Sequence, residues 1–347
     1  MTSRERVQRC LRFEGPDRPP RHLWALPWFV SRYPAEYRAI TTRFPGDFGG
    51  VPDVYRPSPR RVGDAYTPGL FRDEWGCTFT NVHAGVIGEV KTPILGELAA
   101  WRDTVQPPEE TLPVGDAARD TVNRACAESS CFVMGGGCPR PWERMQFLRG
   151  SVNAMMDIMD PDDPHLRGLL QRIHGYYMKE LEFWAKTDVD AMMFMDDWGT
   201  QAQLQIPPEI WRTLFKPLYR DYCDLIRSAG KFVFMHSDGH IAAIYPDLIE
   251  VGVQALNSQL FCMSFDELAR YKGRITFWGE IDRQHVLTSA DPEVARRAVR
   301  QVAAHLYDPR GGIIAQFELG PGSTPAAGMA VFEAWDEVSR EGLKAEG

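Results

Sequence analysis

The sequence has no Cys-x-x-Cys pair, although it holds 7 cysteines. Their scatter and odd number argue against a disulfide framework and against a zinc ribbon, so reduced thiols are expected. No apolar run approaches the roughly 18 residues that a membrane helix needs. A basic tract is also missing, and the formal net charge is −8. Nucleic-acid binding requires clustered Lys and Arg, so neither nucleic acid nor membrane is an expected partner. Phosphate-loop signatures are absent too: Gly135-Gly136-Gly137 is followed by no Lys-Ser or Lys-Thr and reads as a tight turn after a strand. The first ten residues lack the apolar core of an export signal, which makes a cytoplasmic protein the expectation.

What the chain does have is one pattern, repeated. Residues 231–235 form an apolar run of strand length that ends abruptly in His236, Ser237 and Asp238, with Gly239 to let the chain turn. Alternate residues of a strand face the same side, so His236 and Asp238 can share one ligand while Ser237 faces away. A His hydrogen-bonded to a neighbouring Asp in a loop would look the same, so the other strands must decide. Residues 191–195 end in Asp196, Asp197, Trp198 and Gly199, and residues 253–256 in Asn257, Ser258 and Gln259. Residues 274–278 run into Gly279, Glu280, Ile281 and Asp282, and residues 312–317 into Glu318. Helical stretches separate these runs. Apolar strands alternating with helices predict an α/β fold with a parallel sheet covered on both faces. The expectation is a single domain, residues 1–347, built as a (β/α)8 TIM barrel with a hairpin inserted near the N-terminus, within residues 73–90.

In such a barrel the C-terminal strand ends share one mouth, where the active site lies. Asp196, Asp197, Glu280 and Asp282 are then candidate catalytic groups, and Trp198, Asn257 and Gln259 candidate substrate contacts. Part of this polarity also serves to cap strands and start turns. A second set, His22, Trp28, Arg32 and Tyr33, lies at the first expected strand. An Arg there could hold a substrate carboxylate by a two-pronged contact; a solvated helix face is the alternative.

Several of these segments together resemble the uroporphyrinogen decarboxylase superfamily over nearly the full length. They are Arg4-Glu5-Arg6-Val7, Pro16-Asp17-Arg18-Pro19-Pro20, Asp73-Glu74-Trp75-Gly76, Asp196-Asp197-Trp198-Gly199, His236-Ser237-Asp238-Gly239, Phe277-Trp278-Gly279-Glu280-Ile281-Asp282 and Thr324-Pro325. The resemblance implies a distorted barrel, and the family is often dimeric, so a homodimer is an expected assembly. Its decarboxylases bind an acidic porphyrinogen through an arginine-rich segment. Residues 31–38 resemble only the second half of that segment, and Trp28 stands at its first arginine. The cobalamin-linked methyltransferase branch has a zinc site of His-x-Cys and a later Cys. His236 matches the His, while Asp238 and Glu318 stand where the cysteines would be. The resemblance therefore implies a divalent metal, zinc first, on His236, Asp238 and Glu318. Carboxylate is a harder ligand than thiolate and suits an oxygen substrate such as a methoxy group. The expected activity is transfer of a methyl group from a small methoxylated substrate to a corrinoid carried by a separate partner protein. Metal-free decarboxylation of a porphyrinogen or other polycarboxylate, and a non-catalytic ligand-binding barrel, are the alternatives.

Overall fold

The computed structural model describes residues 1–345. Its centre is a six-stranded parallel sheet in the order β1-β11-β10-β9-β8-β7. These strands are β1 (Arg21–Ala25), β7 (Ala191–Met195), β8 (Phe232–Ser237), β9 (Ala255–Ser258), β10 (Thr276–Trp278) and β11 (Ile313–Leu319). A two-residue parallel pair, β2 (Phe48–Gly49) with β6 (Phe132–Val133), lies between the sheet's two ends. Met134 bridges in parallel to Ala191 on one side, and Asp47 N donates to the Arg21 carbonyl at 2.9 Å on the other. The sheet therefore curls back on itself, with continuous ladders along six strands and single contacts at β2 and β6. The first expected strand stops at Ala25 because Pro27 opens a helix, Pro27–Arg32.

Period-two alternation sorts the side chains. Phe232 and Phe234 of β8 join Phe132, Ala191, Ala255, Trp278 and Ile314 in one buried cluster, into which Val7, Cys10 and Leu11 of the first helix also pack. Val233 and Met235, one residue out of step, belong to the larger core shared with the surrounding helices. Following the same alternation, His236 continues the inner row and Ser237 the outer one. Among the described residues no helix is long and apolar enough to cross a membrane.

Near the N-terminus, β3 (Gly69–Arg72), β4 (Thr78–Asn81) and β5 (Glu89–Val90) form an antiparallel sheet. The strand expected from Asp73 starts only at Thr78, since residues 73–77 are a turn in which the Cys77 N–H donates to Asp73 Oδ1 at 2.8 Å.

Two buried carboxylates of this frame sit in opposite electrostatic situations. Asp47 is fully buried and accepts from Arg6 Nη1, Arg18 Nη1 and the Arg21 backbone N, each at 2.7 Å. It locks the first helix, the Pro-rich segment and the start of β1 together. Glu180, on the helix Pro164–Ala185, is 5% exposed. Its Oε1 accepts from Tyr55 Oη at 2.9 Å, but no cation compensates it at salt-bridge range among the described residues. Burial pushes it from 4.5 up to about 7.

Asp47→Ala removes the carboxylate partner of Arg18 and one of the two that Arg6 holds, Asp17 remaining to Arg6, and a loss of about 3 kcal/mol is expected in urea unfolding, as for a broken buried ion pair. Glu180 acts in the other direction. Its folded pKa lies above its unfolded one, so the native state holds a proton that the unfolded chain releases between about pH 4.5 and 7. Stability should fall across that window by on the order of 3 kcal/mol. Glu180→Gln should flatten that slope and be more stable than wild type at pH 8; equal slopes in the two proteins would refute the assignment.

Candidate active site

His236 closes the inner row of β8, with 6% of its surface exposed. Its Nδ1 lies 2.5 Å from Asn257 Oδ1. The Asn257 amide nitrogen already donates to the Trp278 carbonyl and, at 2.8 Å, to Gln316 Oε1. Its oxygen can therefore only accept, which places a proton on Nδ1 and leaves Nε2 facing the mouth. Nε2 is 3.5 Å from Asp197 Oδ1 and 3.6 Å from Asp238 Oδ1. Burial alone would lower the His236 pKa, but the Asp197 hydrogen bond and the Asp238 charge raise it to about 9. Asp197 moves the opposite way: burial would raise it, yet His236 and the Asp238 N–H hold it below the ordinary carboxylate range.

Glycines bring these loops together. Gly199 follows Asp197 by two residues and Gly239 follows Asp238, and the two backbones touch. A Cβ on Gly199 would meet the Gly239 carbonyl carbon at 2.3 Å, and one on Gly239 would meet that of Gly199 at 2.3 Å. The Gly199 N–H donates to the Asp238 carbonyl at 3.0 Å, and the Asp238 N–H to Asp197 Oδ1 at 3.0 Å. Only chains without side chains at both positions can set the two carboxylates this close.

Arg283 organises the opposite wall. One guanidinium contacts both oxygens of Asp238 at 2.6 Å, Glu318 Oε1 at 3.0 Å and Glu280 Oε2 at 3.1 Å. Glu280 is 2% exposed and its Oε1 has no hydrogen-bond partner. Burial pushes it up to about 8, so it is mostly protonated at neutral pH despite Arg283. Asp238 and Glu318, expected as joint metal ligands with His236, are instead linked through Arg283. The group whose ligand atoms all lie within 4.8 Å of one another, among the described residues, is Asp197, His236 and Asp238.

Other expected site residues take different positions. Asp196 is fully buried, and its carboxylate accepts from the Trp142 and Glu143 N–H groups at 3.0 and 2.7 Å and from Tyr219 Oη at 2.6 Å. It caps the helix Pro141–Arg149. Trp198 is also fully buried, stacked on Trp142 with ring centroids 5.4 Å apart, which leaves no face for a substrate. Asn257 positions His236 and is closed to the mouth. Gln259 accepts from the Gly239 N–H at 3.0 Å and so fixes the loop after Asp238. Asp282 accepts from the N–H groups of Gln284 and His285 in its own turn. His22 stacks on Phe48 at 4.1 Å beside an opening lined also by Met134 and Val51, and burial lowers its pKa to about 3, which keeps it neutral. Arg32 is exposed and lies 5.4 Å above the Trp28 ring and 5.9 Å from the Tyr33 ring. No contact joins these three to the carboxylate cluster.

Two residues escaped the sequence reading. Arg283 sits three positions after Glu280 in a strand-end loop, and a lone Arg among acidic strand ends was the available signal. Glu143 lies in the first turn of the helix that Asp196 caps, and nothing in its sequence context marks it. Its Oε2 has no hydrogen-bond partner and lies 3.6 Å from Arg140. Burial raises its pKa; Arg140 opposes and Asp197 adds to the rise.

The donors can be tested against the metal that the resemblance implies. A neutral His236 offers Nε2 between two carboxylate oxygens, and its Nδ1–H is anchored by Asn257, as ligating histidines require. One imidazole and two carboxylates form a donor set for a divalent cation, with further positions open. The residues fit.

Comparison with known proteins agrees with this architecture. No curated protein sequence matches the chain. Among solved structures, a methyltransferase from Methanosarcina mazei is similar with a TM-score of 0.63 at 14% identity, covering 97% of this chain and 99% of that one. At that identity the likeness concerns the fold. A D-psicose 3-epimerase, with a TM-score of 0.35 and 13% identity over 67% of this chain and 83% of its own, is too distant to carry an argument. The profile of the uroporphyrinogen decarboxylase family matches residues 73–338, which hold every member of the carboxylate cluster. The chain therefore belongs to the uroporphyrinogen decarboxylase family.

Proposed function

We propose that this protein is a metal-assisted methyltransferase that takes a methyl group from a small methoxylated substrate and passes it to a corrinoid on a separate protein. The reading includes an eight-stranded barrel closed by β2 and β6, whose mouth holds the site. The observation that carries it is the placement of His236 Nε2 between Asp197 and Asp238. These three residues would hold the cation, with Asp197 in the position that sequence comparison gave to Glu318. A bound divalent ion supplies Lewis acidity toward the ether oxygen.

The remaining steps rest on the chain's own groups. When the methyl–oxygen bond breaks, the electron pair stays on oxygen, which must take up a proton. Glu280, buried and protonated at neutral pH, is a proton source at the same mouth. Arg283 keeps Asp238, Glu280 and Glu318 in register and offsets their mutual repulsion. One observation favours the metal-free decarboxylase: His236 Nε2 lies 3.5 and 3.6 Å from Asp197 and Asp238, whose charges raise its pKa, so the imidazolium itself can balance them.

Metal analysis and turnover separate the two. Wild type loaded with zinc or cobalt(II) and then dialysed should retain about one equivalent, as expected of a three-ligand site. Asp197→Ala and His236→Ala should lose the metal and methyl transfer together. Glu318→Ala should keep the metal, because its carboxylate lies outside the group of ligand atoms formed by Asp197, His236 and Asp238. Glu280→Gln should also keep the metal while turnover falls by about 10²-fold or more, the usual contribution of a general acid. Retention of no metal by wild type, or carbon dioxide release from a porphyrinogen without metal, would overturn the methyltransferase reading.

A further inference from the structure

Beside the carboxylate cluster, two cavities of about 410 and 620 Å³ open between the antiparallel sheet, the segment 53–61 and the helix Pro164–Ala185. They share Arg61, Glu74, Cys138, Tyr176 and Glu180 as lining residues, so they form one cleft. Either volume falls within the roughly 300–1,000 Å³ of small-molecule sites. The Gly-rich loop after β6 forms part of its floor. Gly137 has φ +77°, and a Cβ there would meet Glu180 Cδ at 2.7 Å and Tyr55 Oη at 2.8 Å, so the loop lies directly on the helix.

The cleft combines flat apolar walls with cations that lack full partners. Trp75, Phe147, Tyr176 and Tyr177 contribute aromatic surface. Arg144 is neutralised by Asp73. Arg140 is different: its nearest carboxylate, Glu143, is 3.6 Å away, beyond a hydrogen bond, and its side chain remains 33% exposed. Arg61 lies 5.4 Å from the Phe71 ring centroid and Arg56 donates to the Leu112 carbonyl at 3.2 Å, and neither has an ion-pair partner among the described residues. Against these three cations stand Asp53, Glu74 and Glu180, and burial leaves Glu180 only partly ionised near neutrality. With Glu180 protonated one positive charge is left over, which suits a single anionic charge on a planar, apolar body.

We propose that this cleft binds an aromatic monocarboxylate, its carboxylate on the Arg140 guanidinium and its ring against the aromatic wall at Tyr176. A guanidinium receives a carboxylate through two parallel N–H bonds and, partly desolvated, strengthens them. Tyr176 and Trp75 give the ring an edge-and-face environment, their own rings lying 5.0 Å apart at 74°. Arg140 also directly precedes the helix Pro141–Arg149, whose Trp142 and Glu143 N–H groups are held by Asp196, the residue next to Asp197. The proposal names the substrate class for the catalytic reading above and rests on that reading only for turnover, since binding alone can be measured without it.

Benzoate, its neutral isostere benzamide and the non-planar cyclohexanecarboxylate serve as probes in calorimetric titration of the full chain. Wild type should bind benzoate at least about tenfold tighter than benzamide, and tighter than the cyclohexane acid, as a charge-assisted contact and a flat slot require. Arg140→Gln should erase the preference over benzamide, and Arg140→Lys should restore part of it. Thermal midpoints within a few degrees of wild type certify the folds. If Arg140→Gln does not fold, Arg140→Lys alone decides, because it keeps the charge and loses the two-pronged geometry. His236→Ala should bind benzoate as wild type does. Persistence of benzoate binding in a protein that transfers no methyl group would leave the subsite standing while the methyltransferase reading falls. The subsite itself is overturned if wild type binds benzoate no better than benzamide, does not bind it at all, or keeps its preference when Arg140 is replaced.

Discussion

Four carboxyl groups at the strand ends meet one guanidinium and one imidazole, and the mouth of the sheet depends on that balance. Like charges about 4 Å apart repel by roughly 4 kcal/mol at an effective dielectric constant near 20, so Asp197, Asp238, Glu280 and Glu318 could not share one opening unaided. Arg283 binds three of them at 2.6 to 3.1 Å. His236 sits between Asp197 and Asp238, and Glu280 escapes part of the repulsion by keeping its proton. The resulting site is poised on that balance of charge.

That poise depends on the fold at two levels. The sheet fixes direction, because parallel neighbours bring the ends of β7 to β11 to one side, with His236 of β8 in register with Met195 of β7 and Asn257 of β9. Backbone contact then fixes distance, since Gly199 and Gly239 allow two turns to touch. The helix capped by Asp196 adds a third link. A fully buried carboxylate beside one that faces His236 holds the helix that carries Glu143, so adjacent acids in one Asp-Asp pair point to different places.

Much of the architecture was legible in the chain. Apolar runs ending in polar residues marked β7, β8, β10 and β11, and the first-turn pairing of Thr2 with the Glu5 N–H, at 3.1 Å, is visible as a capping-box spacing. Strand β6 was legible as the apolar run before Gly135-Gly136-Gly137, whereas β2 was not, because its two residues carry too little periodicity to stand out. The candidate site divided along the same line. His236, on β8, was placed by alternation, and Asp238, in the loop just past the strand's end at Ser237, by carrying that alternation one step further. The inward burial of Asp196 and Trp198 was not legible, because a polar or aromatic residue after a strand gives no sign of whether it turns toward the mouth or into the core.

The sequence by itself determined the periodicities, and through them the parallel α/β frame, the inner position of His236 and the acid-rich character of the strand ends. These are properties of residues within a few positions of one another, where local geometry decides. Which acids share a partner was settled only in three dimensions. Asp238 and Glu318 are 80 residues apart in number, and whether they converge on a metal or on Arg283 depends on how a loop after β10 folds over the mouth. Electrostatic balance is a sum over every charge within a few ångströms, and that neighbourhood comes into existence only when the sheet curls and the helices close around it.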